Sequence, residues 1–248
     1  MDVDHHSREF LADRHEQWRQ LRKTPVAYDT RYGGFWVVSG YAEVAQVARD
    51  AEIFSSELGQ RDGVELRGIA GVPRTRGIPP AGIAEAERST HQALRRAINP
   101  FFLPPAVKAL RPSMVDLATW FIDQKIRTGR MDLVADLTNP VPAVITMQLI
   151  GLPCDHWDYY ADLFHATVAS RPGAQEYDRA IARIPEMMAE LLEEARSRRA
   201  QPGDDLLSQL VELRRPSGDP LSDQELTAVL WNLVGGGLDT TTSLTSLT

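Results

Sequence analysis

Apolar residues recur at three- and four-residue spacing along most of this chain, the period of helices with one buried face. The pattern predicts a charged amphipathic start over residues 7–22, a short helix over 41–49, and longer helical segments near 105–128, 133–150, 155–169, 174–200 and 204–214. Between the first two lies Phe35-Trp36-Val37-Val38, a β-type run bounded by Gly33-Gly34 and Gly40, so a small sheet beside helices is expected. The fold class that follows is mainly α with a small β-sheet region. Gly151 after Leu149-Ile150, with Pro153 close behind, reads as a helix stop that local chemistry explains. Residues 59–87, rich in Gly, Pro and Arg, show no clean period; a long irregular segment of this kind is a functional lid or a linker. No internal repeat or low-complexity tract interrupts the chain.

The last periodic stretch is the most informative. Ser222 and Glu225 have the spacing of a capping box. Leu226, Val229, Leu230, Leu233, Gly237, Thr240, Thr241 and Leu244 then follow one stripe, which is expected to be buried. Inside it stand Gly235-Gly236-Gly237, and each glycine costs about 1 kcal/mol relative to alanine in a helix interior, roughly 3 kcal/mol together. Missing side chains on such a face make room for another molecule, and a Thr hydroxyl can divert a carbonyl of the preceding turn. The alternative is a helix that ends at Gly235 and continues as a Gly/Thr/Ser-rich tail.

Composition narrows the function. The 248 residues are 43% hydrophobic, enough for a sizeable core as one domain or part of one. A net charge of -7 argues against nucleic-acid binding, and the arginines at 196, 198, 199, 214 and 215 read as solvated helix ends. Residues 1–23 are densely charged, and the apolar stretch around 141–150 is short and carries Pro142, so neither a secretory signal nor a membrane span is expected and a cytoplasmic protein is. His15-Glu16 does not extend to a zinc-binding motif, Cys154 with His156 lacks a companion pair, and neither a Gly-x-Ser-x-Gly elbow nor a phosphate-binding loop occurs. No residue is assigned as a metal ligand.

Four stretches, in order, resemble the N-terminal half of soluble bacterial cytochromes P-450, the cysteine-thiolate haem monooxygenases. They are Gly33–Val44 with Phe54-Ser55-Ser56; Arg88 to Phe102 with His91-x-x-x-Arg95; Asp132-Leu133-Val134 through Leu149-Ile150-Gly151-Leu152-Pro153; and Gly236-Gly237-Leu238-Asp239-Thr240. The resemblance implies an incomplete P-450-type fold, with the chain as the N-terminal part of a single domain ending in the distal, oxygen-activating helix. It implies haem as cofactor, its propionates held by His91 and Arg95. The two lie on one helical stripe with Leu94 and Ile98, which puts polar groups on a face expected to be buried. An ordinary surface helix with an Arg–carboxylate pair is the other reading of that motif. Gly236 and Gly237 would leave space for dioxygen, and Asp239 and Thr240 would be the catalytic pair, Thr240 hydrogen-bonding dioxygen during its activation and Asp239 relaying protons.

The same resemblance implies an apolar small-molecule substrate, dioxygen and a ferredoxin- or flavodoxin-type electron donor as partners. Residues 59–87 would lie over the substrate pocket, although the family's Asp-Pro-Pro approach to the His is replaced by Pro79-Pro80, displaced upstream, and the pair of helices about Arg171-Pro172-Gly173 would be lids. The family's axial ligand lies in Phe-x-x-Gly-x-x-x-Cys after a Glu-x-x-Arg helix; neither motif occurs here, and the single Cys154 follows Pro153 at a helix start, where an inert thiol is expected. The axial Cys is therefore expected outside these residues, the more so because the chain stops mid-helix at Ser246-Leu247-Thr248. A non-catalytic helical binding or interaction protein is the alternative for the chain alone.

Overall fold

Short apolar runs separated by turn residues divide the first part of the chain into small elements. Ser7 caps helix α1 (Arg8–Ala12), its Oγ accepting from the Phe10 amide at 3.0 Å, and α2 (Arg14–Leu21) follows directly. The expected amphipathic start is thus two helices. Strand β1 (Val26–Asp29) pairs antiparallel with β2 (Phe35–Val38), Val26 opposite Val38 and Asp29 opposite Phe35, and α3 (Tyr41–Arg49) comes next. Part of the segment expected to be irregular is a second hairpin, β3 (Leu58–Arg61) with β4 (Val64–Arg67). Its two-residue turn is Asp62-Gly63, both at positive φ (52° and 79°), the pairing that matches the twist of a hairpin. The computed structural model describes residues 4–5, 7–69, 77–170, 173–215 and 217–247. The expected lid junction at Arg171-Pro172 lies outside the described residues.

The elements so far belong to one compact unit, Met1–Thr75, and the remainder to a second, Arg76–Thr248. The second contains a short 3₁₀ turn (Gly82–Glu85), α4 (Arg88–Ile98), α5 (Pro104–Ile126), α6 (Pro140–Ile150), α7 (Trp157–Ala169), α8 (Gln175–Ala200), α9 (Leu206–Glu212) and α10 (Asp223–Ser246). The single helix expected over 133–150 is interrupted: Val134–Thr138 form a π turn, the Asn139 amide reaches back to the Val134 carbonyl at 2.9 Å, and α6 restarts at Pro140. Proline is suited to the first helical position because its absent N–H is not needed there. At the other end Gly151 takes the left-handed conformation (φ 94°) and its N–H closes on the Met147 carbonyl at 2.9 Å.

The core of this unit gathers around α10, which packs against α6, α7, α8 and the 3₁₀ turn. Met147, Leu163, Met187, Leu191, Leu226, Leu230 and Leu238 are almost wholly buried within it. The capping box at the start of α10 is complete: Ser222 Oγ accepts from the Glu225 amide at 3.2 Å, and Glu225 Oε2 accepts from the Ser222 amide at 2.8 Å. The helix continues unbroken through all three glycines to Ser246, so the tail reading does not hold.

Candidate functional site

None of Gly235, Gly236 and Gly237 has a positive φ, so backbone conformation does not require glycine at these positions. Packing explains two of them. A Cβ on Gly235 would overlap the Phe164 ring of α7, and one on Gly237 would overlap the Thr146 side chain of α6. Phe164 in turn stacks on Trp231 with ring centroids 4.4 Å apart. At Gly236 an added Cβ meets nothing within 4 Å. The room expected beside Gly237 is thus taken by Thr146, and the open position is Gly236.

The stripe expected to be buried along α10 is buried only at its start. Leu226, Val229 and Leu230 are enclosed, whereas Thr240, Thr241 and Leu244 are exposed, Leu244 at 66%. The buried face of the second half is Val234, Leu238 and Thr242, which α6 and α7 cover. The expected stripe instead borders an open apolar groove of about 810 Å³. Its walls come from α4, α5, α6 and α10, with Ile98, Ile145, Leu149, Leu233 and Gly236 among the lining residues. Thr241 lines this groove and Thr240 does not; the Thr240 hydroxyl donates to the Gly236 carbonyl at 2.5 Å, so a Thr side chain does engage a carbonyl of the preceding turn.

Arg95 of α4 lines the same groove, which brings it together with Gly236 and Gly237. Its expected burial is not found: Leu94 and Ile98 are 3% exposed, His91 is half-buried and Arg95 is exposed. The reason is that α9 and the 3₁₀ turn cover the side of α4 bearing Leu94, while Arg95, about 100° further round, looks past them. Among the described residues the guanidinium forms neither a hydrogen bond nor an ion pair, so no Arg–carboxylate pair is found there. His91 does not line the groove.

Asp239 faces away from the groove toward α7. Its Oδ1 lies 2.6 Å from His165 Nδ1, and His165 Nε2 lies 2.8 Å from Asn139 Oδ1. Sequence reading missed His165 and Asn139. The available signal was weak: a single imidazole in a helix that also carries Asp158 and Asp162, and an Asn-Pro dipeptide at a helix junction. Cys154 is half-buried after α6, its Sγ directed at the Val144 and Leu152 carbonyls at 3.9 and 3.8 Å, and burial pushes the thiol above its ordinary range. It does not line the groove.

In sequence and in fold the chain is cytochrome P450-like, of bacterial type. It is 27% identical over 241 residues to cytochrome P450 107B1 of Saccharopolyspora erythraea, covering 95% of this chain and 58% of that protein. To the 6-deoxyerythronolide B hydroxylase of the same organism it is 26% identical over 246 residues, covering 97% and 60%. The structure of a P450 EryK mutant in complex with erythromycin B superposes with a TM-score of 0.73 at 27% identity, over 94% of this chain and 56% of that one. The epothilone B-bound cytochrome P450epoK shares the fold with a TM-score of 0.76 at 23% identity, over 99% and 62%. No protein-family model matches the chain. The chain spans about three-fifths of the length of the curated relatives it matches.

Proposed function

We propose that the chain is the N-terminal part of one cytochrome P450-type domain, a haem-dependent monooxygenase that inserts an atom of dioxygen into an apolar small molecule. Two electrons would come from a ferredoxin- or flavodoxin-type donor, and the protein would act in the cytoplasm. The observation that carries the reading is the groove in which Arg95 and Gly236 meet, although they are far apart in sequence. Its composition fits a flat apolar group with anionic arms: aliphatic walls, a guanidinium that pairs with no described residue and a glycine with open space before it.

Haem bound there would supply the redox chemistry of dioxygen cleavage, with thiolate ligation favouring it. Arg95, with His91 one turn earlier on α4, would hold its propionates; Arg offers a planar fork suited to a carboxylate. Gly236 would keep the helix surface low where dioxygen must fit, while the absence of a side chain at Gly237 admits Thr146. The Thr240 hydroxyl, now donating to the Gly236 carbonyl, would instead donate to dioxygen, and Asp239 would be the adjacent carboxylate that carries a proton. The axial thiolate would be supplied by residues beyond this chain, since Cys154 lies away from the groove with its thiol pushed toward the neutral form.

The source DNA read beyond codon 248 in the same frame should encode Glu-x-x-Arg followed by Phe-x-x-Gly-x-x-x-Cys. The full product should then show the reduced, carbon monoxide-treated spectrum of a thiolate-ligated haem. A purified product that takes up no haem would leave a non-catalytic helical binding protein. In the active protein, Thr240→Ala should preserve substrate binding and divert electrons to peroxide; unchanged coupling of electrons to product would remove Thr240 from its role.

A further inference from the structure

The helix α7 is fastened to α10 at two adjacent residues. Phe164 lies on the step left bare by Gly235, and His165 reaches Asp239, one turn further along α10. The imidazole is itself held from behind: the π turn ends at Asn139, and that side chain meets His165 Nε2. A π turn within a helical stretch re-aims the residues that follow it and recurs at functional sites. Here the residue so placed is the only described partner of that ring nitrogen. Asn139 can satisfy Nε2 in either sense, by accepting through its carbonyl or donating through its amide after a flip. With the amide turned to donate to Nε2, the neutral ring carries its proton on Nδ1 and donates it to Asp239; with Oδ1 accepting from Nε2–H, Nδ1 donates only when both ring nitrogens carry a proton.

The consequence falls on the carboxylate. Asp239 Oδ1 is committed to His165, while Oδ2 has no hydrogen-bond partner among the described residues. The side chains of Asp239 and His165 are 15% and 27% exposed, so water reaches the ring more readily than it reaches the acid. A carboxylate free to rotate would spread its two oxygens over several rotamers; one pinned through Oδ1 offers a single oxygen in one direction.

We propose that His165, braced by Asn139, is the positioning residue of Asp239, fixing its carboxylate so that Oδ2 alone is presented for proton transfer. This rests on the monooxygenase reading given above. The expected behaviour is that His165 acts only through Asp239.

The test uses the full-length protein and two kinds of readout. In ¹⁵N-histidine NMR, the His165 Nδ1 proton should resonate at low field and exchange slowly, and both features should vanish in Asp239→Asn. Their absence from the parent protein overturns the proposal. In the haem-loaded enzyme, His165→Phe should raise peroxide released per electron about tenfold, the scale of losing precise orientation, with KM for substrate unchanged. Asn139→Ala should move the same ratio in the same direction by about threefold, and it serves if His165→Phe does not fold. Added to Asp239→Asn, His165→Phe should have no further effect. The proposal is overturned if both variants couple electrons as the parent does, or if His165→Phe has its full effect in the Asp239→Asn background. Failure to take up haem would instead sink the monooxygenase reading, and the NMR readout would still decide whether His165 holds Asp239.

Discussion

The two halves of α10 carry the same kind of pattern to different ends. In the first half Leu226, Val229 and Leu230 follow the helical period and are at most 2% exposed, because α8 and the 3₁₀ turn close over them. In the second half the stripe continues as Gly237, Thr241 and Leu244, yet Leu244 is 66% exposed and the stripe borders an apolar groove. Periodicity therefore marks a face built for contact, and whether that face is covered depends on what else is present. The glycines sharpen the contrast: Gly235 and Gly237 let α7 and α6 approach, and Gly236 borders open space.

The largest expected effect separates the packed glycines from the open one. Gly235→Val and Gly237→Val should each lower stability by about 2–3 kcal/mol through overpacking against Phe164 or Thr146, read as a lower urea midpoint with unchanged slope. Equal tolerance at all three positions would erase the distinction between the two sides of the helix. Next in size, Arg95→Ala should weaken haem retention in the full-length protein about tenfold, or about 1.4 kcal/mol, by removing the cation that lines the groove. Haem titration checks this, and an unchanged affinity would detach Arg95 from the cofactor. Gly236→Ala should go the other way, raising stability by up to about 1 kcal/mol, since the added methyl meets nothing and alanine is the better helix former.

The smallest effect concerns acid. Asp205 caps α9 and Glu225 completes the box on α10; partial burial opposes their charge, but for Asp205 the hydrogen bonds from Ser208 and the Arg198 guanidinium, and for Glu225 those from Ser222 with Arg215 nearby, outweigh it and hold both below the usual carboxylate range. A carboxyl group depressed in the folded state contributes stability above its unfolded pKa, about 4 for these residue types, and loses it as pH falls through the lower folded value. The thermal midpoint should therefore be steady near neutrality and drop below about pH 4, with a shallower drop in Asp205→Ala. The same acid slope in that variant would show that the cap carries no linkage.

Much of the backbone was legible from local chemistry. The run Phe35–Val38 and the helix Tyr41–Arg49 fall where the pattern puts them, Ser222 caps α10 and Gly151 ends α6. The hairpin Leu58–Arg67 escaped notice because its flanks are polar and charged; the Asp62-Gly63 turn was its one clear signal. The break at Asn139 escaped because the residues of a π turn keep helical spacing almost to its end.

Sequence alone determined most of the helical segments and several of their caps, and that α10 carries an unusual run of glycines beside Asp239 and Thr240, since these depend on capping, propensity and period within a few residues. Only tertiary structure decided which glycine is open, that Arg95 stands exposed at a groove rim instead of buried, and that His165 and Asn139 hold Asp239. Those outcomes depend on which neighbouring helix lies against a given side of α4 or α10, and the approach of helices distant in sequence leaves no periodic trace in the residues that meet.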